Sequence, residues 1–241
     1  MRGFRLPLML ALAGVLLTGC GGGGANVASI PDPVVRFINA APGSTALDFR
    51  LNESVVGNNV PYKGSTQTFA TFESGDYDVS VQEDANPETQ AIETLLLLRE
   101  TNQLVVATGL VTPPNEELEK RLRLTDIQFD RRAPNGDRAR LIVVHGYVRA
   151  AGLDTPNIDF QEPGDNPRFV VRNINFGNAQ QLELDAGSQT LVARRSGSEG
   201  EVTPRVTFNF GAGKIYAAIV SGIEDSAATP PQITFIELQT R

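Results

Sequence analysis

The chain has 241 residues but only one cysteine, one histidine and no tryptophan. With Cys20 alone there is no intramolecular disulfide, so an apolar core must hold the fold. One His and one Cys cannot supply the nitrogen and sulfur ligands of a typical zinc site. Any acyl-transfer triad would have to be built on His145. No G-x-S-x-G elbow exists, because "SGSEG" (196–200) has the wrong spacing. "GGGGAN" (21–26) is not a phosphate loop, since no strand precedes it and no Lys follows. No cofactor motif is present. Positive charge is scarce as well: 21 Lys and Arg face 28 Asp and Glu, a net charge of −7, which disfavours nucleic acid as a partner. Helical periodicity is nearly absent, and only "PPNEELEK", Pro113 to Lys120, could make a turn or two of helix. Carboxylates cluster at Glu83, Asp84 and Glu88 and at the pair Asp76 and Asp78, but without EF-hand spacing. A solvated acidic edge explains them, and no metal is expected.

What is present begins with the N-terminus. Arg2 and Arg5 precede an uncharged run from Leu6 to Leu17, too short to span a bilayer as a helix. The pattern is that of an export signal, residues 1–19. Leu17-Thr18-Gly19-Cys20 resembles the lipobox of bacterial lipoproteins. The resemblance implies cleavage before Cys20 and acylation of its thiol and amine, so the chain would meet the membrane through an N-terminal lipid. Gly21, where an Asp would mark inner-membrane retention, points to the outer membrane. Gly21 to Pro33 would be a tether reaching roughly 20 Å.

After the tether, short runs rich in β-branched or aromatic residues alternate with turns: "VVRFINA", "LDFRL", "DYDVSVQ", "QLVVATGL" and "RLRLTDIQF". The order then repeats. "RFINAAPGSTALDF" answers "IVVHGYVRAAGLDTPNIDF", "QLVVATGL" answers "YAAIVSGI", and the last strands correspond likewise. Asp48 with Asp159, Gly75 with Gly187 and Gly109 with Gly222 are offset by 111, 112 and 113 residues. So constant a shift indicates tandem duplication, with domains at 34–130 and 131–241. Each has the size and rhythm of an immunoglobulin-like β-sandwich of about seven strands. Tyr77, after a turn Gly, fits a tyrosine corner; Gln189 holds that place in the second copy, where the corner is expected to be missing. "RFINAAPGSTALDFRLN", "VPYKG" and "ESGDYDVSV", with "RLIVVHG" and "NIDF" in the second copy, resemble the bacterial domain-of-unknown-function family 4397. That resemblance implies tandem β-sandwiches on secreted or surface proteins, with no catalytic residues.

His145 ends a strand where the first copy has Asn39, an interchange that suits a turn partner better than a catalytic base. Asp48 and Asp159, kept by both copies, either order a turn through backbone bonds or contact a ligand. Thirteen residues separate His145 from Asp159 against eight between Asn39 and Asp48. The longer loop, Gly146 to Asn157, contains Tyr147 and Arg149, residue types that anchor interfaces. Either they point outward to a partner, or Tyr147 and Leu153 pack beneath the loop or over the junction. Residues 34–130 carry 7 basic and 15 acidic side chains; residues 131–241 carry 12 of each, 11 of the basic ones Arg. Arg suits bidentate polar recognition, which makes the second domain the expected contact surface. The expected function is a non-enzymatic binding or adhesion module for a protein or glycan. The alternatives are a hydrolase using paired carboxylates and a structural subunit of a surface assembly.

Overall fold

Strands dominate because polar and apolar side chains alternate along most of the chain. In "GDYDVSVQE" (Gly75–Glu83), Val79 and Val81 are buried while Asp76 and Asp78 are exposed. The computed structural model describes residues 30–240 apart from 84, 85, 114–116, 165 and 169, with the backbone alone for 86–90. The signal segment, Cys20, most of the tether, Asp84 and the Glu88 side chain lie outside the described residues.

The first copy contains β1 (Val34–Asn39), β2 (Leu47–Leu51), β3 (Ser54–Val60), β4 (Ala70–Thr71), β5 (Gly75–Glu83), β6 (Asn86–Leu97), β7 (Asn102–Thr108) and β8 (Arg123–Gln128). The second contains β9 (Arg138–Val148), β10 (Ile158–Gln161), β11 (Val170–Ile174), β12 (Ala179–Asp185), β13 (Gly187–Arg195), β14 (Val206–Phe210), β15 (Ile215–Ile223) and β16 (Gln232–Leu238). The sheets are β4-β1-β7-β8 and β3-β2-β5-β6 in one copy, β12-β9-β15-β16 and β11-β10-β13-β14 in the other. The two orders match strand for strand. The fold is therefore two tandem immunoglobulin-like sandwiches, each with eight strands instead of about seven. "PPNEELEK" contributes one 3₁₀ turn, Leu118–Lys120.

The continuous apolar runs have a separate cause. β7 and nearly all of β9 and β15 are buried at every position, as strands are when covered on both faces. On one face, Val35, Phe37 and Val105 join the core of the first sandwich, and Leu141, Val143 and Val220 that of the second. On the other, Ile38, Leu104 and Val106 meet Ile142, Val144 and Ile219 in a third apolar cluster. The two inner sheets thus pack back to back, giving four layers. Polar bonds cross the same junction: Arg36 Nη1 donates to the Glu237 carbonyl at 2.9 Å, and the Tyr62 and Ser221 hydroxyls are 3.0 Å apart.

The correspondence between the two sandwiches extends to fine detail. Gly109 and Gly222 have φ +93° and +134°, and a Cβ on either would lie 2.5 Å from a carbonyl oxygen, of Arg121 and Pro230 respectively. The Tyr77 hydroxyl donates to the Glu73 carbonyl at 3.0 Å. Gln189 Nε2 donates to the Asp185 carbonyl at 3.1 Å, also four residues upstream. The corner expected to be missing is kept, with an amide serving as the donor.

Candidate functional site

The residues singled out by sequence fall into two groups, and the first turns inward. Asp48 accepts the Asn59 N–H at 2.6 Å, and Asp159 accepts the Asn173 N–H at 2.8 Å and the Ser196 hydroxyl at 2.6 Å. Asn59 and Asn173 have φ of 54° and 59°, within irregular stretches of the pairing between second and third strands. Each Asp therefore holds a left-handed residue of a bulge, a backbone duty that accounts for its retention. Asn39 Nδ2 donates to the Val60 carbonyl at 3.1 Å, and His145 Nδ1 donates to the equivalent carbonyl of Ile174 at 3.0 Å. His145 is fully buried, and desolvation pushes its pKa down to about 4. It is a neutral bridge between strands.

The outward reading of Tyr147 is corrected. β9 runs on to Val148, so strand parity places Tyr147 with Ala139, Leu141 and Val143 on the core face, and it is 1% exposed. Burial, followed by the Glu224 charge, pushes its hydroxyl up to about 12. Arg149 is half-buried, its Nε 2.7 Å from Glu224 Oε2, and Arg195 pairs with the same carboxylate. The cluster ties together the ends of β9, β13 and β15.

Another surface emerges at that end. β1 and β7 run parallel, as do β9 and β15, and all four point the same way. The loops that follow them converge. Lys120, fully buried, donates to the Ala150 carbonyl at 2.9 Å and pairs with Glu117, which accepts the Gly152 N–H. The bond from Lys120, ahead of that from Gly152, holds the Glu117 carboxyl below its ordinary range. The five extra residues of the second copy thus lie on the loop before β8. Between the loops is a crevice of about 310 Å³ lined by Pro42, Leu110, Val111, Arg149, Ala151 and Ile223. Leu118 and Leu153 flank this tip, 62% and 44% exposed. The loop length difference was the sequence signal for this surface, but the residues it displays are not the two expected.

Where the chain enters, geometry is opposite. The Val34 N–H donates to the Thr101 carbonyl and the Glu100 N–H to that of Pro31, at the starting ends of β1 and β7. Arg131 Nε donates to the Gln239 carbonyl, linking the second copy's last residues to the interdomain connection. At about 3.3 Å per residue, the eleven residues of β9 separate the two ends by roughly 35 Å. Among the described residues no three His, Cys, Asp or Glu side chains are grouped to hold a metal.

Residues 33–161 match the family described as a domain of unknown function (DUF4397). The match runs from just before β1 to the end of β10, across the boundary between copies. No curated protein matches the chain. Among solved structures, the Bacillus anthracis TIE protein is 9% identical with a TM-score of 0.25, covering 79% of this chain. The chain spans 34% of that protein's length. A family 41 carbohydrate-binding module from streptococcal virulence factors, described for alpha-glucan recognition, is 11% identical over 84% of this chain and 96% of its own, TM-score 0.25. A DUF3823 family protein from Bacteroides ovatus is 11% identical over 88% and 100%, TM-score 0.24. Likenesses this distant carry no weight for function.

Proposed function

The chain belongs to the DUF4397 family, a domain of unknown function, and from that premise we propose a lipid-anchored envelope protein that binds a partner without catalysing a reaction. Cys20 carries the lipid, the Gly-rich stretch is the tether, and the outer membrane is the site of display. The partner, a protein or a glycan, meets the tip formed by loops of both copies. One observation carries this reading: the described chain begins at one end of the sandwiches, and the tip, with its crevice and exposed Leu118 and Leu153, lies at the other. Loops on a rigid scaffold are where sandwich domains commonly bind. Two exposed leucines favour a protein surface over a sugar. His145, buried, neutral and bonded to a backbone carbonyl, is unsuited to act as a base.

Two measurements test this. Metabolic labelling with a palmitate analogue should mark the wild type and leave Cys20→Ser unlabelled; equal labelling removes the anchor. Full-length protein displayed on vesicles should recover a partner from native envelope extract. Leu118→Ser with Leu153→Ser should weaken that binding by about 2 kcal/mol, with an unchanged melting curve because both side chains are exposed. Undiminished binding by the double variant would move the site elsewhere.

A further inference from the structure

Outside the tip, the two sandwiches differ most along one side. In the second, the gap between edge strands β14 and β16 is filled by rings: Phe208 and Phe235 have centroids 4.4 Å apart, with Tyr216 5.5 Å from Phe208. Strand register gives the first copy's equivalents. Gly75 pairs with Leu97 as Gly187 pairs with Phe210, so Leu95 stands where Phe208 does. Val105 pairs with Asp126 as Ala218 pairs with Phe235, so Asp126 replaces the second ring. The result is an open groove of about 540 Å³ between β6 and β8, with core residues Val79, Leu95, Val105 and Leu124 as its floor.

β6 is also a free edge. It is twelve residues long and pairs only with β5. On its outer face Ile92 and Leu96 are 61% and 50% exposed, and Leu98 just past its end is 49% exposed, whereas Leu153 at the tip is the one exposed large apolar side chain of the second copy among the described residues. Asp76 and Asp78 of β5 flank the strand, Glu93 lies on it and Asp126 across the groove, and among the described residues none of them is within 4 Å of a cationic side chain. Burial raises the Asp126 carboxyl to about 6, a sign of a carboxylate lacking a countercharge, although its side chain still reaches solvent. Arg121 and Arg123 line the groove only at its tipward end, and Arg123 is spread over Phe176 at 4.8 Å.

We propose that the β6 edge is a docking site for an extended basic segment of another protein, which adds to β3-β2-β5-β6 as a fifth strand. A segment alternating apolar and basic residues would put apolar side chains into the groove over Leu95 and Leu124. Its basic side chains would lie beside Asp76 and Asp78 on the outer face. Carboxylates beside an open edge repel acidic strands and a second copy of this chain, whose own β6 would bring Glu93 against Glu93. They select a cationic partner. This site is independent of the tip.

The test uses the full chain in detergent micelles and a fluorescent peptide of four Lys-Val repeats. Controls are the Glu-Val counterpart and a peptide of equal charge with proline in place of valine, which cannot complete a ladder. The Lys-Val peptide should bind at least tenfold more tightly than either control and should slow hydrogen exchange of β6 amides. Asp126→Phe, which supplies the second copy's ring, and Ile92→Lys with Leu96→Lys should each weaken binding at least tenfold. Melting curves would establish that each variant is folded, and the doubly substituted protein suffices if Asp126→Phe is not. Equal affinity for the proline peptide, protection outside β6, or binding indifferent to the folded variants would overturn the proposal.

Discussion

The two sandwiches share a strand order but dispose of charge in opposite ways. Nine of ten ion pairs among the described residues involve only residues from Asp130 onward, including Arg140–Glu183, Arg149–Glu224 and Arg194–Glu201. The second copy, with equal numbers of basic and acidic groups, neutralises itself and closes its side with aromatic rings. The first, at −8, leaves most of its described carboxylates without a cationic partner and its side open. The two copies share what the backbone needs and differ elsewhere: the bulge Asp, the corner donor and the positive-φ Gly at 109 and 222 occur in both, while plug and surface charge differ. The second copy compensates its own charge, whereas the open β6 side belongs to the first.

The comparison can be tested first at the junction that both copies share. Ile219 is fully buried between the inner sheets, and Ile219→Asp should cost more than about 4 kcal/mol by burying an unpaired charge. Calorimetry should show both sandwiches melting together at a lower temperature. If the second melts while the first is untouched, the four layers are not one cooperative unit.

A smaller effect separates His145 from Asn39. The folded pKa of about 4 lies below the ordinary value of 6.5, so between them the unfolded chain takes up a proton that the folded chain refuses. Stability from this group is full above 6.5 and is lost as pH falls toward 4, by about 3 kcal/mol. His145→Asn, which installs the first copy's residue, should abolish that part of the acid sensitivity in urea titrations at pH 4 and 7. An unaltered pH dependence would place the sensitivity in other groups.

Smaller still are the matched backbone holders. Asp48→Ala, which loses one bond, should cost about 1 kcal/mol, and Asp159→Ala, which loses two, about 2 kcal/mol. Tyr77→Phe should cost about 1 kcal/mol, and Gln189→Ala, which also loses the bond from Arg168, about 2 kcal/mol if the corner is equivalent in both copies. Chemical denaturation resolves these differences; a neutral Gln189→Ala would break the equivalence. Smallest is the exposed pair Arg205–Glu201: Arg205→Ala should leave the melting temperature within scatter, since exposed pairs contribute little.

Much of the fold was legible because its signals are local. Alternation along "DYDVSVQ" and the turn glycines marked strands, and the offsets between paired landmarks revealed the duplication. The site was less legible. The extra length of the second copy assigns Tyr147 to a loop, yet β9 passes through Gly146 to Val148 without a break. Gln189 lacks the hydroxyl of a tyrosine corner, yet any donor reaching a carbonyl four residues back suffices. Leu153, which the sequence allows to pack beneath the loop, and Leu118 are both exposed, since an exposed leucine differs from a buried one only in what lies opposite it.

Local periodicity, turn chemistry and a repeated spacing determined from sequence alone that this is an all-β chain of two similar units, with a single cysteine and so no intramolecular disulfide. Only tertiary structure decided that the inner sheets pack back to back, that Tyr147 faces the core, and that one sandwich is plugged while the other is open. The reason is physical. A run such as "LIVVHGYV" states that both faces are buried, but which partner covers each depends on residues a hundred positions away, and no local pattern encodes that distance.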